Sequence, residues 1–245
     1  MVKISNRLMA AAALVTQGNR LADVGTDHGY IPIYLLLNKQ ISSAIAMDIN
    51  AGPLERAKEH IALYELGDYI ETRLSDGVAA LKPMEADTIL VAGMGGGLVM
   101  HILEDGKEVC RMAKELILQP QSELDRVREY LYEEGYEILV EDIIYEDDKY
   151  YPMMKVHYIG KEKMPLVSSV EKQQLSYLYG GLLLQNRHPV LKSFLEKEQS
   201  LYQDILEKLQ KQPQSEKIQN RMKEVETILA DNKRALAYFE VLQSN

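Results

Sequence analysis

The chain has 245 residues, long enough for one large α/β domain, or a medium domain with an extension, around a hydrophobic core. Its one cysteine, Cys110, rules out an intramolecular disulfide, and no apolar run reaches membrane-spanning length, so the chain reads as a soluble cytoplasmic protein. The net charge of −9 is local: residues 1–165 carry 17 Lys and Arg against 27 Asp and Glu, net −10, while 166–245 carry 11 against 10, net +1, a balance that weighs against a broadly basic nucleic-acid binder but leaves room for local basic patches.

The opening MVKISNRLMAAAALV has the apolar patch of a signal peptide, but Arg7 interrupts it and polar TQGNR follows where small residues would be cleaved. Residues 5–15 therefore read as an amphipathic helix leading into a first strand. Short β-type runs follow at 20–25 (RLADVG), 43–49 (SAIAMDI), 69–75 (YIETRLS), 87–93 (DTILVAG) and 115–121 (ELILQPQ). Helical stretches separate them at 32–38, 53–66, 98–104 and 122–134, with Pro32 and Pro53 in first turns and Gly67 and Gly135 at helix ends. This alternation predicts a parallel sheet covered by helices on both faces. Beyond Gly135 two strand patterns adjoin, EILVEDIIYEDD and YYPMMKVHYIG, an antiparallel pair at one edge.

From about Ser168 apolar residues recur every three or four positions in VEKQQLSYLYGGLLL, in 189–210 (Leu191, Phe194, Leu195, Leu201, Ile205, Leu209) and in 215–242 (Ile218, Met222, Val225, Ile228, Leu229, Ala235). Gln212-Pro213-Gln214 separates the two long helices, which fold back as a coiled-coil-like antiparallel hairpin. Two domains are expected, 1–165 and 166–245, without finer repeats.

The chemistry concentrates in LADVGTDHGYIPIYLL, a strand, a glycine turn and a helix. Such a turn brings backbone N–H groups and a helix N-terminus against a ligand at the carboxyl edge of the sheet. Its spacing, Gly25-Thr26-Asp27-His28-Gly29, is not the G-x-G-x-x-G of a dinucleotide-binding turn, and Asp23 and Asp27 would repel a pyrophosphate. Both carboxylates suit the ammonium and sulfonium of S-adenosylmethionine (SAM), with a plain structural turn as the alternative. Asp48, with the adjoining Ile49, ends the second strand about 20 residues on, placed to accept ribose hydroxyls. Asp76-Gly77 ends the third, where Asp76 can accept from an adenine amine. Gly93, Met94 and Gly95 open the glycine run after the fourth strand, continued by Gly96 and Gly97, which lacks the lysine of a phosphate loop. Met94 either walls the pocket or packs in the core. These residues describe an α/β, Rossmann-like domain with a crevice suited to SAM, and no metal is implied.

DVGTDHGYIPIYLL, AMDINAGPLERA, RLSDGVAAL, VAGMGGGLVMHIL and LILQPQSELDRVREYL closely resemble the bacterial tRNA (adenine-N1)-methyltransferases of the TrmK type. The resemblance spans nearly the whole chain, including a C-terminal helical hairpin. It implies a Rossmann-like class I SAM-dependent methyltransferase domain and methyl transfer from SAM to N1 of adenine 22 in tRNA. On this reading Asp27 stabilises the cationic product or accepts a proton from N6, His28 orients Asp27 or contacts the base, and Tyr30 stacks on it or closes the pocket. The alternatives are a turn histidine and a core tyrosine. Arg187, Lys192, Arg221, Lys223, Lys233 and Arg234 of the hairpin, with Lys3 and Arg7 on the other rim, are expected to contact tRNA phosphates or else to be solvated helix positions. A monomer is expected, with a dimer through the hairpin as the alternative. A small-molecule SAM methyltransferase and a SAM-sensing interaction module are the competing functions.

Overall fold

The computed structural model describes residues 2–165, 169–213 and 215–240. The chain divides into two compact units, Met1–Leu166 and Val167–Asn245. In the first, seven strands form one sheet in the order β3-β2-β1-β4-β5-β7-β6. Strands β1 (Arg20–Val24), β2 (Ser43–Asp48), β3 (Ile70–Leu74), β4 (Thr88–Met94) and β5 (Glu115–Pro120) run parallel. The hairpin of β6 (Tyr136–Glu146) and β7 (Lys149–Tyr158) closes one edge antiparallel. The order reverses between β1 and β4, so the carboxyl ends of these two strands flank a crevice.

The central strands are apolar on both sides, and their period of two divides them between two cores. Ile89, Val91, Leu116 and Leu118 face α4 (Gly96–Asp105), α5 (Lys107–Met112) and α6 (Leu124–Glu134). Leu21, Leu90 and Ile117 face α1 (Asn6–Ala13), α2 (Tyr30–Leu37) and α3 (Ala51–Leu63). Each fully buried Leu or Ile contributes about 1.5–3 kcal/mol, so both faces are fixed by burial alone.

Several boundaries differ from the sequence reading. Helices α2 and α3 start two residues before their prolines, which sit at the third helical position, where the missing N–H is still harmless. The chain after α3 turns at Glu65, with φ of 56°, rather than at Gly67. Helix α6 begins at Leu124, because Glu123 is itself left-handed, and α5 is too short to show a period.

The second unit is helical: α7 (Val170–Tyr179), α8 (Gly181–Gln185), α9 (Pro189–Gln210) and α10 (Glu216–Glu240). Gly180, with φ of 91°, splits the first predicted helix in two. Helices α9 and α10 pack together, and Asn232 donates to the Leu195 carbonyl and to Glu198 across them. Leu201 is exposed rather than buried in this seam. Ser168, Gln214 and residues 241–245 lie outside the described residues. Among those described, no helix is long and apolar enough to cross a membrane.

At the amino ends of the strands, Glu115 is buried and accepts from Thr16 N and Oγ1, Thr88 Oγ1 and Lys155 Nζ at 2.6 to 2.8 Å. Burial pushes its pKa up, but the bonds from Lys155, Thr16 and Thr88 outweigh it and the net direction is down. Its stabilisation is therefore present above its ordinary value near 4.5 and is lost as the pH falls through the lowered folded-state value. Glu115→Ala takes the carboxylate from half-buried Lys155, which keeps only the Leu14 carbonyl and the Thr16 hydroxyl, and lowers the unfolding free energy by about 3 kcal/mol at pH 7, read by urea denaturation. An unchanged midpoint would show that the network stabilises nothing.

Candidate active site

Strand β1 carries Asp23 to its carboxyl end, where the side chain is buried between β2 and β4. Gly25 follows with φ of 74°, a conformation that favours glycine, and the N–H groups of Gly25 and Thr26 both donate to the Met47 carbonyl at 2.8 Å. These two N–H groups are spent inside the sheet and do not point at a ligand, contrary to the expectation from sequence. The turn presents side chains instead. Burial drives the Asp23 carboxyl up from 3.8 to about 6, the Thr26 hydroxyl opposes that shift, and Asp48 adds to it. Thr26 Oγ1 is buried and makes no hydrogen bond of good geometry. A desolvated carboxyl with only one hydroxyl beside it is an arrangement that a cationic, hydrogen-bonding ligand would complete.

The other predicted cofactor residues occupy the ends of the adjoining strands. Asp48 Oδ1 accepts from Asn50 N at 2.7 Å, and Ile49 beside it exposes 58 % of its surface, an apolar lip on the crevice. Asp76 and Gly77 line a cleft of about 90 Å³ with Val78, Ala79, His101 and Ile102. Met94 reaches across from β4 until its methyl group lies where a side chain on Gly25 would stand, while packing on the core behind. Gly29 caps α2 from a left-handed conformation, and a Cβ there would touch Ala57 of α3.

The glycine run makes room for another part of the chain. A side chain on Gly96 would strike the Ser122 carbonyl, and Gly95 and Gly97 lie against Ser122 Oγ and a Glu123 carboxylate oxygen. Those same groups cap α4: Gly96 N donates to Ser122 Oγ at 3.1 Å and Gly97 N to Glu123 Oε2 at 2.9 Å. Gly96 and Gly97 thus admit the loop between β5 and α6. Gly93 stands in a β-bulge, between the pairs Ala92 with Gln119 and Met94 with Pro120, and a Cβ there would lie 3.3 Å from Arg7 Nη1.

Asp27, His28 and Tyr30 are brought together. Asp27 is 73 % exposed, with its Oδ1 3.2 Å from His28 Nε2 and 3.5 Å from Arg56 Nη2. The rings of His28, Tyr30 and His60 lie 5.2 to 5.3 Å apart and within 13° to 25° of parallel. His60 Nδ1 donates to the His28 carbonyl at 3.0 Å, which fixes a proton on that nitrogen, and His28 Nδ1 is buried without a partner. Arg56 and His60 were missed in the sequence. Their i, i+4 spacing on α3 places them on one helix face, but only the fold brings that face to the turn.

The predicted phosphate contacts scatter. Lys3 is exposed, whereas Arg7 is half-buried and bonded to Gln119 Oε1 at 2.8 Å. In the helical unit Arg187 donates to the Tyr238 carbonyl, and Lys192, Arg221 and Arg234 pair with Glu196, Glu224 and Asp231. Lys223 and Lys233 are exposed.

Residues 21–236 match the family model described as TrmK, tRNA (adenine(22)-N(1))-methyltransferase. The chain belongs to the TrmK family. It is accordingly an enzyme that methylates N1 of adenine 22 in tRNA. The tRNA (adenine(22)-N(1))-methyltransferase of Bacillus subtilis is 34 % identical over 226 residues, 91 % of this chain and 93 % of that protein. The crystal structure of B. subtilis TrmK matches with a TM-score of 0.82 and 32 % identity, covering 96 % of this chain and all of that one. Streptococcus pneumoniae Sp1610 in complex with S-adenosyl-L-methionine matches with a TM-score of 0.81, 31 % identity, and coverage of 96 % and 100 %. M. capricolum TrmK in complex with S-adenosyl-homocysteine gives 0.79, 28 %, and 96 % and 98 %.

The raised Asp23 carboxyl has a consequence for stability. A buried acid held at about 6 makes the folded state bind a proton more tightly than the unfolded one, so stability falls as the pH rises from about 4 through 6. Asp23→Asn removes that penalty and raises the unfolding free energy on the order of 2 to 3 kcal/mol at pH 7.5, a gain that vanishes near pH 4. Urea denaturation at both pH values reads it, and no gain at pH 7.5 would show that the carboxylate is not desolvated.

Proposed function

We propose that the crevice at the carboxyl ends of β1 to β4 holds SAM and presents it to adenine 22 of tRNA. The observation that carries this reading is the Asp23 carboxyl, buried at the end of the central strand with the Thr26 hydroxyl beside it, which suits the cationic amino-acid end of SAM. Relatives solved with SAM and with S-adenosyl-homocysteine support it. Asp48 accepts the ribose hydroxyls, Ile49 forms an apolar lip beside it, and Asp76 and Gly77 receive the adenine at the 90 Å³ cleft, with Gly25, Thr26, Gly29, Gly93, Met94 and Gly95 shaping the wall.

Bound there, SAM supplies a methyl group on a cationic sulfur. In-line displacement from a sulfonium needs no metal, only near-attack geometry, since adenine N1 is an uncharged nucleophile at neutral pH. The product is cationic. Asp27, exposed on the turn beside the crevice, faces that developing charge and takes the N6 proton when it leaves. Arg56 and His28 hold its carboxylate from two sides, and His60 fixes the His28 backbone. Tyr30, half-buried in the ring cluster, supports a base extruded from the tRNA, a step that takes a few kcal/mol.

The helical unit, close to neutral where the first is acidic, supplies phosphate contacts through Lys223 and Lys233, with Lys3 contributing from the first unit. The enzyme works in the cytoplasm as a monomer. Methyl transfer from labelled SAM to a tRNA transcript with adenine at position 22, compared with guanine there, tests the reading. Label enters the first alone, and Asp27→Ala lowers kcat by about 100-fold with SAM affinity retained. Label in both transcripts, or an undiminished Asp27→Ala variant, would contradict it.

A further inference from the structure

The first unit contains seven arginines, and six pair with carboxylates: Arg20 with Asp87, Arg56 with Asp27, Arg73 with Glu85, Arg111 with Glu134, Arg126 with Glu123 and Arg128 with Glu141. Arg7 differs. Its side-chain hydrogen bond goes to Gln119, a neutral amide that is fully buried at the carboxyl end of β5, and its guanidinium lies 5.4 Å from the centre of the Tyr151 ring. In a domain of net charge −10, this guanidinium is placed against an amide and an aromatic ring, where its charge is held but not neutralised.

The placement is fixed from several directions. Ser5 Oγ caps α1 by accepting from Leu8 N, and the two Glu146 oxygens accept from the N–H groups of Asn6 and Arg7 at 2.8 and 3.0 Å. The bulge at Gly93 leaves space that the guanidinium fills, so Arg7 lies at the end of β4, the strand whose Met94 covers the Gly25 turn. A guanidinium that is oriented in advance binds an anion with less loss of freedom than a solvated lysine would.

We propose that Arg7 is an oxyanion clamp of the active site, gripping either the carboxylate of the SAM tail or a tRNA phosphate next to the target base. This rests on the functional reading above, which places a zwitterionic cofactor and a polyanionic substrate at this edge of the sheet. Both ligands offer an oxygen pair that matches the guanidinium fork. A different account gives Arg7 only the task of pinning α1 to the sheet.

Gln119→Glu separates the two, because it is nearly isosteric and supplies the carboxylate that the other six arginines have. A pinning role is strengthened by that change, whereas a clamp is neutralised. In the full-length enzyme, SAM affinity is read by calorimetry and kcat/KM for tRNA is read across a salt series. If the anion is the cofactor carboxylate, SAM binds at least tenfold more weakly. If it is a phosphate, KM for tRNA rises at least tenfold, SAM affinity holds, and the slope of log kcat/KM against log salt falls by about 0.7 to 0.9. Arg7→Met, which keeps the apolar stem, gives the same loss by deleting the charge, and reads the clamp even if Gln119→Glu fails to fold. Unchanged SAM affinity and unchanged tRNA kinetics in a folded variant would overturn the clamp. Wild-type turnover is measured in the same assay, so a failure of the functional reading appears in the wild type and a failure of the clamp only in the variants.

Discussion

The desolvation of one carboxyl group organises this active site. Asp23 ends the central strand β1, flanked by β2 and β4, with two apolar cores behind it, so water is excluded by the same packing that makes the sheet stable. Left empty, that position destabilises the fold; filled by a cation, it becomes a strong and oriented binding contact. The protein thus carries a destabilising group at the end of its central strand, the proposed ligand contact, and burial of the sheet keeps it there.

Around that point the chain divides its work between binding and self-assembly. Backbone N–H groups that might have received a ligand are tied down: those of Gly25 and Thr26 to Met47, those of Gly96 and Gly97 to Ser122 and Glu123. What the crevice offers is a set of side chains at successive strand ends, namely Asp23, Asp48 and Asp76, with Asp27 beside them on the turn. This arrangement fits a cationic cofactor better than a pyrophosphate, which needs free N–H groups and no carboxylates. A positive charge at this edge of the sheet comes from Arg7, brought in by a helix that precedes the sheet.

The sheet was legible because alternation and turn chemistry are local: all five parallel strands fall within about two residues of the runs read from sequence, as does the edge hairpin. The strand-end carboxylates were legible for the same reason. The purpose of the glycine run was not, since its neighbours are Ser122 and Glu123, about 26 residues on, and a single sequence does not state which surface will fill the space above a glycine. Arg56 and His60 are hidden in a helix whose charged face looks solvated until α3 is packed beside the turn. The Arg7 and Gln119 pair joins positions 112 residues apart, a contact that only the sheet order creates.

The most direct test is the pH dependence of SAM binding, measured by calorimetry from pH 5 to 8 on the wild type and on Asp23→Asn. Coupling to the Asp23 carboxyl predicts affinity that is level above about pH 6 and falls about tenfold per unit below it, with protons released on binding near the lower end. Asp23→Asn should bind weakly and without that dependence. Wild-type affinity that stays flat to pH 5, or an Asp23→Asn variant that binds as well as the wild type, would contradict the account.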